Sequence, residues 1–410
     1  MRHWAIRQRF RFSINSNHGN YEDSLLKIIY LTSRYPYPLE KGDKLRAYYQ
    51  IEALSHEHEV HLISITDTDH DKQHLEKLRQ ITTSVHLIRI TPLERYLGLI
   101  RAVASGLPFQ IAWFYSPKSD ELIQQICQEI QPDHIFCQLP RMAEYCTTLP
   151  HKKTLDYMDS FGIGMQKRSS VVKGLMSALY KKEAVRMIRY EALIAKRFDH
   201  LTIISQQDKE QFSFGEAESI HVVPNGISPA FFDFPKVNEP EYDVIFVGNM
   251  GYLPNIETVE FLINDILPLL PDKTKVIIAG ANPSPRVKKL ASPQVFVSGW
   301  VDDIRTSYVS GRIFVAPMWS GTGQQNKILE AMALGIPCIT TQLVNNAIGA
   351  QQGKEILIAE SATEFANAIQ LLLKDQALYH TISTQSSKFV QQKFDWKQNA
   401  TILSSIFASN

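Results

Sequence analysis

The chain has 410 residues, too many for one ordinary domain and enough for two of roughly 200 residues each. Its 44% hydrophobic and 21% charged residues can build sizeable cores, and a formal net charge of +1 gives no basis for a nucleic-acid partner. The four cysteines, Cys127, Cys137, Cys146 and Cys338, form no CxxC pair and fit reduced, mostly buried thiols in a cytoplasmic protein.

The opening MRHWAIRQRFRFS is basic and aromatic but lacks the apolar stretch and cleavage site of a signal peptide. Residues 1–23 are therefore expected to be a disordered extension. No apolar run approaches the roughly 18 residues of a membrane span. From residue 24 the pattern alternates. KIIYLT (27–32), EVHLISIT (59–66), SVHLIRI (84–90), DHIFCQ (133–138) and KTLDYMD (153–159) read as strands. Helical stretches such as LRAYYQIEALSHE and SDELIQQICQEI lie between them.

Residues 171–197 read as one long helix rich in Lys and Arg, followed by strands at 200–205 and 219–225. The helix fits either a solvated face or a surface for anionic lipid headgroups beside a lipid-linked acceptor. The proline-rich stretch 225–241 reads as a hinge or linker. Alternation then resumes, with strands at 242–248, 275–280, 294–300, 312–317 and 336–341. Helices fit at 255–267, 302–309, 324–334 and 362–374, and the tail is helical.

The expected architecture is thus α/β, with two parallel-sheet domains facing each other across a cleft. The N-terminal domain spans 24–224 and the C-terminal domain 242–380. Helices in 381–410 are expected to cross back to the N-terminal domain.

One stretch carries chemistry. After the strand RIFVAP comes the loop MWSGTG and then the helical QQNKILEAMALG, with Ser320 or Thr322 as candidate N-cap. A strand, a glycine loop and a helix start form a ready anion site, because the first backbone N–H groups of the helix have no internal partner. Lys327 falls in the first turn, where the helix dipole disfavours a cation until an anion is bound. Glu330 follows at i+3 on the same face. A cation for a diphosphate and a carboxylate for sugar hydroxyls would thus stand side by side. The bland alternative is a solvated Lys–Glu pair on a surface helix.

The segment 312–341 resembles the donor-site segment of glycosyltransferase family 4, group 1, which has the GT-B fold of two Rossmann-like domains. VVPNGIS (222–228) resembles that family's interdomain hinge, and VIFVGNMGYLPNIETVEFL (244–262) the start of its C-terminal domain. Residues 27–64 resemble its N-terminal strand, glycine loop and helix. The nearest subgroup is the sugar transferases tied to exopolysaccharide synthesis.

The resemblance implies a retaining transferase that takes a sugar from a nucleoside diphosphate, UDP or GDP, and hands it to a glycan or lipid-linked hydroxyl. It implies no separate cofactor and no metal. Glu330 would hold the ribose hydroxyls and Lys327 the diphosphate. Gly42, Gly248, Asn249 and the loop Gly321, Thr322, Gly323, Gln324 would complete the donor site. Thr322 stands where the family carries a first glutamate, and NMGYLPN lacks the usual basic pair, so Arg46 or Lys44 are candidate cations from the other domain. Arg141 and Asp159 are candidate acceptor contacts, Asp159 alternatively a cap for the following segment. A nucleotide-sugar epimerase of the same fold, or a binding protein without chemistry, remain open alternatives. A dinucleotide oxidoreductase does not fit, because no GxGxxG follows the first strand.

Overall fold

The computed structural model describes residues 25–66, 72–235, 237–320 and 323–409. The expected extension at 1–23 lies outside the described residues, as do Gly321 and Thr322.

The N-terminal domain is a seven-stranded parallel sheet. Its strands are β1 (Lys27–Thr32), β2 (Glu59–Thr66), β3 (Ser84–Arg89), β4 (His134–Gln138), β5 (Lys152–Asp156), β6 (His200–Ile203) and β7 (His221–Val222), in the order β3-β2-β1-β4-β5-β6-β7. The C-terminal domain is a six-stranded parallel sheet of β8 (Tyr242–Val247), β9 (Val276–Ala279), β10 (Val295–Gly299), β11 (Gly311–Ala316), β12 (Cys338–Thr340) and β13 (Leu357–Ile358), in the order β10-β9-β8-β11-β12-β13. Both sheets reverse direction of winding between their first and fourth strands, and ligands of such sheets bind at the carboxyl ends of those two strands.

Burial explains the composition of the strands. Alternate residues point to opposite faces. Ile28 and Tyr30 therefore join one N-domain core while Ile29 and Leu31 join the other. With helices on both faces, every residue of HIFCQ in β4 is buried.

Three expectations change. β5 stops at Asp156, because Met158 turns to a left-handed φ of 62° and leaves the extended backbone. The basic helix expected over 171–197 runs Leu175–Ala195, starting after Gly174 with φ 71°, and a separate helix, Phe161–Val171, precedes it. The return to the N-terminal domain comes later than 381. Helix Gln376–Lys393 stays on the C-terminal core through Ile382 and Val390, and the chain crosses at Phe394–Asp395. Helix Trp396–Ala408 then packs against helix Gly42–Leu54, burying Trp396, Leu403, Ile406 and Phe407 in the N-terminal core. At the hinge the two crossings touch. Ile227 N–H donates to Phe394 O at 2.8 Å, and Asn399 Nδ2 donates to Pro224 O at 2.9 Å. Gly226 is needed there, since a Cβ would lie 2.6 Å from the Trp396 ring.

Candidate active site

The loops after β8 and β11 flank the switch point of the C-terminal sheet. Helix Asn326–Ala333 starts after the β11 loop, with Gln325 as N-cap and no side-chain cap. This corrects the expected cap: Ser320 instead donates to Glu257 at 3.0 Å. The buried face of the helix is Ile328, Leu329, Ala331 and Met332, so Lys327 and Glu330 turn toward the cleft side.

Neither is a solvated surface residue. The Lys327 side chain keeps some surface, but its ammonium is drawn inward. It donates to Asn255 Oδ1 at 2.5 Å and lies 5.2 Å from the centre of the Phe246 ring. Desolvation pulls its pKa down to about 8, and Glu330 opposes that shift. Glu330 accepts from the buried Tyr308 hydroxyl at 2.8 Å. Burial raises its pKa, while Tyr308 and Lys327 act against the rise.

Asn255, which sequence reasoning missed, ties the two loops together. Its amide nitrogen donates to Asn249 O at 2.9 Å while its oxygen holds Lys327. Asn249 Oδ1 accepts from Gly251 N–H at 3.0 Å, which closes a tight turn. Gly248 must lack a side chain, because a Cβ would sit 2.7 Å from Asn255 Nδ2. Gly323 has φ 75°.

The N-terminal domain meets this loop directly. Gln324 bonds the backbone of Asn225 at both ends of its amide, at 3.0 and 3.1 Å. Asp208, also missed, accepts from the Gly323 backbone N–H and from Ser205 Oγ at 2.5 Å. Both contacts join domains far apart in sequence, so no local pattern announces them.

Arg46 is a correction. It is fully buried, forms a two-pronged ion pair with Asp156 at 2.7 and 3.0 Å, and donates to Asn225 Oδ1 at 2.9 Å. Thr202 also donates to Asp156. Arg46 thus fastens helix Gly42–Leu54 to β5 and the hinge, and is not a free cation for a diphosphate. Lys44 is paired with Glu40 at 3.0 Å. Gly42 is exposed at the start of its helix, with nothing within 4 Å of a would-be Cβ, so backbone there is open to a ligand.

Arg141 and Asp159 follow β4 and β5, and each comes just after a strained backbone position. Leu139 has φ 71° and Met158 φ 62°, conformations that non-glycine residues hold at about 1–3 kcal/mol each. Arg141 lies between the Phe114 and Phe161 rings, at 5.1 and 4.7 Å, and donates to Gln110 at 2.9 Å. Burial, with Arg34 adding to it, brings its pKa down to about 10, so it stays charged at neutral pH. Asp159 is pushed up to about 7, chiefly by burial and then by Asp208, with Arg141 acting the other way. It does not cap the next helix, which Ser160 does. Tyr252, from the first loop of the C-terminal domain, feels the charge of Asp159. Among the described residues no three His, Cys, Asp or Glu side chains are grouped as a metal ion would need.

Two parallel α/β domains, with the loops after β8 and β11 at the switch point of the second, have the GT-B architecture. Residues 241–375 match the family model described as glycosyl transferases group 1. The chain is 25% identical to a Klebsiella pneumoniae protein described as an uncharacterized 44.6 kDa protein in the cps region, over 94% of this chain and all of that one. Sucrose-phosphate synthase of Thermosynechococcus elongatus superposes with a TM-score of 0.67 at 16% identity, covering 93% of this chain and 98% of that chain. HepE of Anabaena in complex with UDP superposes with a TM-score of 0.67 at 15% identity, covering 94% and 100%. A second HepE structure contains UDP-glucose, superposing with a TM-score of 0.64 at 17% identity over 93% and 100%. The fold is therefore GT-B.

Proposed function

We propose that this protein is a retaining hexosyltransferase of glycosyltransferase family 4. It moves a sugar from a nucleoside diphosphate, UDP or GDP, to a glycan or lipid-linked acceptor in the synthesis of exopolysaccharide or another cell-envelope polysaccharide. The observation that carries this reading is Lys327, an incompletely solvated cation at an uncapped helix start beside a glycine loop. The UDP and UDP-glucose bound by HepE, and the cps-region setting of the Klebsiella relative, support it.

In the reaction the bond between the sugar C1 and the diphosphate oxygen breaks. The acceptor oxygen bonds C1 on the same face, and the acceptor proton leaves with the departing diphosphate. The charge that grows on the leaving oxygens is met by Lys327 and the first amides of helix Asn326–Ala333. Glu330, steadied by Tyr308, takes the ribose hydroxyls. Asp159 and Arg141 orient the acceptor, and closure of the domains through Gln324 and Asp208 keeps water out.

Calorimetry with UDP, GDP, ADP and NAD tests the donor site. One nucleoside diphosphate should bind, and Lys327→Ala and Glu330→Ala should each weaken it by about tenfold or more. Binding indifferent to both substitutions would end this reading. A sugar donor converted to its isomer without an acceptor would point to an epimerase. Binding with no turnover across an acceptor panel would point to a binding protein.

A further inference from the structure

Helix Pro92–Ser105 is turned inside out relative to an ordinary surface helix. Leu93, Tyr96, Leu97, Ile100 and Val103 follow one helical stripe, and that stripe faces outward, with Leu93, Ile100 and Val103 each about two-thirds exposed (69%, 66% and 67%). The inward side is Arg95, Gly98 and Ala102. The orientation is fixed. A Cβ at Gly98 would lie 2.3 Å from Ala112 O, so the helix backbone sits directly on the short helix Phe109–Ala112. The capping box of Thr91 and Glu94 holds its start, and Ser116 Oγ donates to Glu94 at 2.7 Å.

The same short helix contacts helix Leu175–Ala195 on its other side. Gln110 N–H donates to Glu183 Oε1 at 3.2 Å, and Arg186 lies 5.2 Å from the Phe109 ring centre. The acidic residues of helix Leu175–Ala195, Glu183 and Glu191, are both buried. Its outward residues are therefore cations and hydrocarbons: Lys181, Lys182 and Arg189 with Leu175, Leu179 and Val185. An outward apolar stripe next to an outward basic stripe without carboxylates is the pattern of an interfacial surface. Its apolar side chains enter the acyl boundary while the cations meet anionic headgroups. No described helix is long and apolar enough to cross a membrane.

We propose that the outward faces of helices Pro92–Ser105 and Leu175–Ala195 together dock this protein on the surface of an anionic phospholipid bilayer. The charge of the surface selects the occupant: a neutral or basic partner would leave the cations unmatched, while an anionic bilayer meets them and takes the adjoining apolar stripe into its acyl boundary. The inference is independent of the transferase reading, and its readout is lipid partition rather than activity.

The test is vesicle flotation of the full chain, with phosphatidylcholine vesicles and with vesicles containing about one-third phosphatidylglycerol. The variants are Leu93→Asp with Ile100→Asp, and Lys181→Glu with Lys182→Glu. Each affected side chain is exposed, and an unchanged thermal midpoint and unchanged UDP affinity confirm a folded protein. The wild type should float with the anionic vesicles, weakly with the neutral ones, and less at high salt. The apolar pair should lose at least about tenfold and the charge-reversed pair more, since each cation near an anionic surface is worth about fivefold in partition. No flotation of the wild type overturns the proposal. So does flotation equal in wild type and both variants, or flotation lost only when residues 1–24 are removed. A dimer in solution, dissolved by Ile100→Asp and without lipid binding, would assign the face to a second copy instead.

Discussion

At the residue scale the site turns on the protonation of Lys327. Its pKa is depressed to about 8 by burial. A lysine depressed in the folded state costs stability while it is charged, below pH 8, and that cost disappears as pH rises toward the ordinary lysine range. Lys327→Met should therefore stabilise the ligand-free protein at pH 7 by on the order of 1 kcal/mol after solvent screening, read from denaturant unfolding. The same substitution should weaken nucleoside-diphosphate binding by about tenfold or more. In the wild type the anion needs the charged form, so affinity should hold below pH 8 and fall above it, by up to about tenfold per pH unit. A flat titration of UDP affinity from pH 7 to 9.5 would show that Lys327 does not meet the diphosphate. That Lys327 and Glu330 share a face of the helix after β11 was legible, because a strand end, a helix start and i, i+3 spacing are local patterns. Arg46 was misread because Asp156 lies 110 residues away, and nothing in DKLRAYY shows a buried ion pair.

At the scale of elements, the strands that pair over four or more residues were legible, since long buried β-rich runs leave little choice of conformation. β13 (Leu357–Ile358) went unassigned, whereas the equally short β7 lies inside the strand expected over 219–225. Helix Pro92–Ser105 went unassigned, and its apolar stripe says nothing about which side faces the core; Gly98 decides that by close approach. The loop after β8 offers a sharper test. Asn255 supports both the Asn249 turn and Lys327, and Gly248 leaves room for it. Asn255→Ala and Gly248→Ala should each lower nucleoside-diphosphate affinity by about tenfold. The double variant should be little worse than either, because both disable the same support. Full additivity by calorimetry would mean that the two act separately.

At the scale of the whole molecule, the two domains share one chain twice over. Helix Trp396–Ala408 places Trp396, Leu403, Ile406 and Phe407 in the N-terminal core. At about 1.5–3 kcal/mol for each large apolar side chain, their loss approaches the whole stability of a domain. Ending the chain at Lys393 should therefore unfold or aggregate the N-terminal half while residues 242–393 keep a cooperative thermal transition, as scanning calorimetry would resolve. Two unchanged transitions would show that the last helix is an ornament.

The late crossing also sets an order of events during synthesis. The N-terminal sheet leaves the ribosome before the C-terminal one, yet the helix that seals one face of it is made only after the whole C-terminal sheet. Until then the side of helix Gly42–Leu54 on which Tyr49 stacks against Trp396 has no cover. The nascent chain therefore carries an unfinished first domain throughout the making of the second, and a translational pause before residue 396 prolongs its dependence on a chaperone.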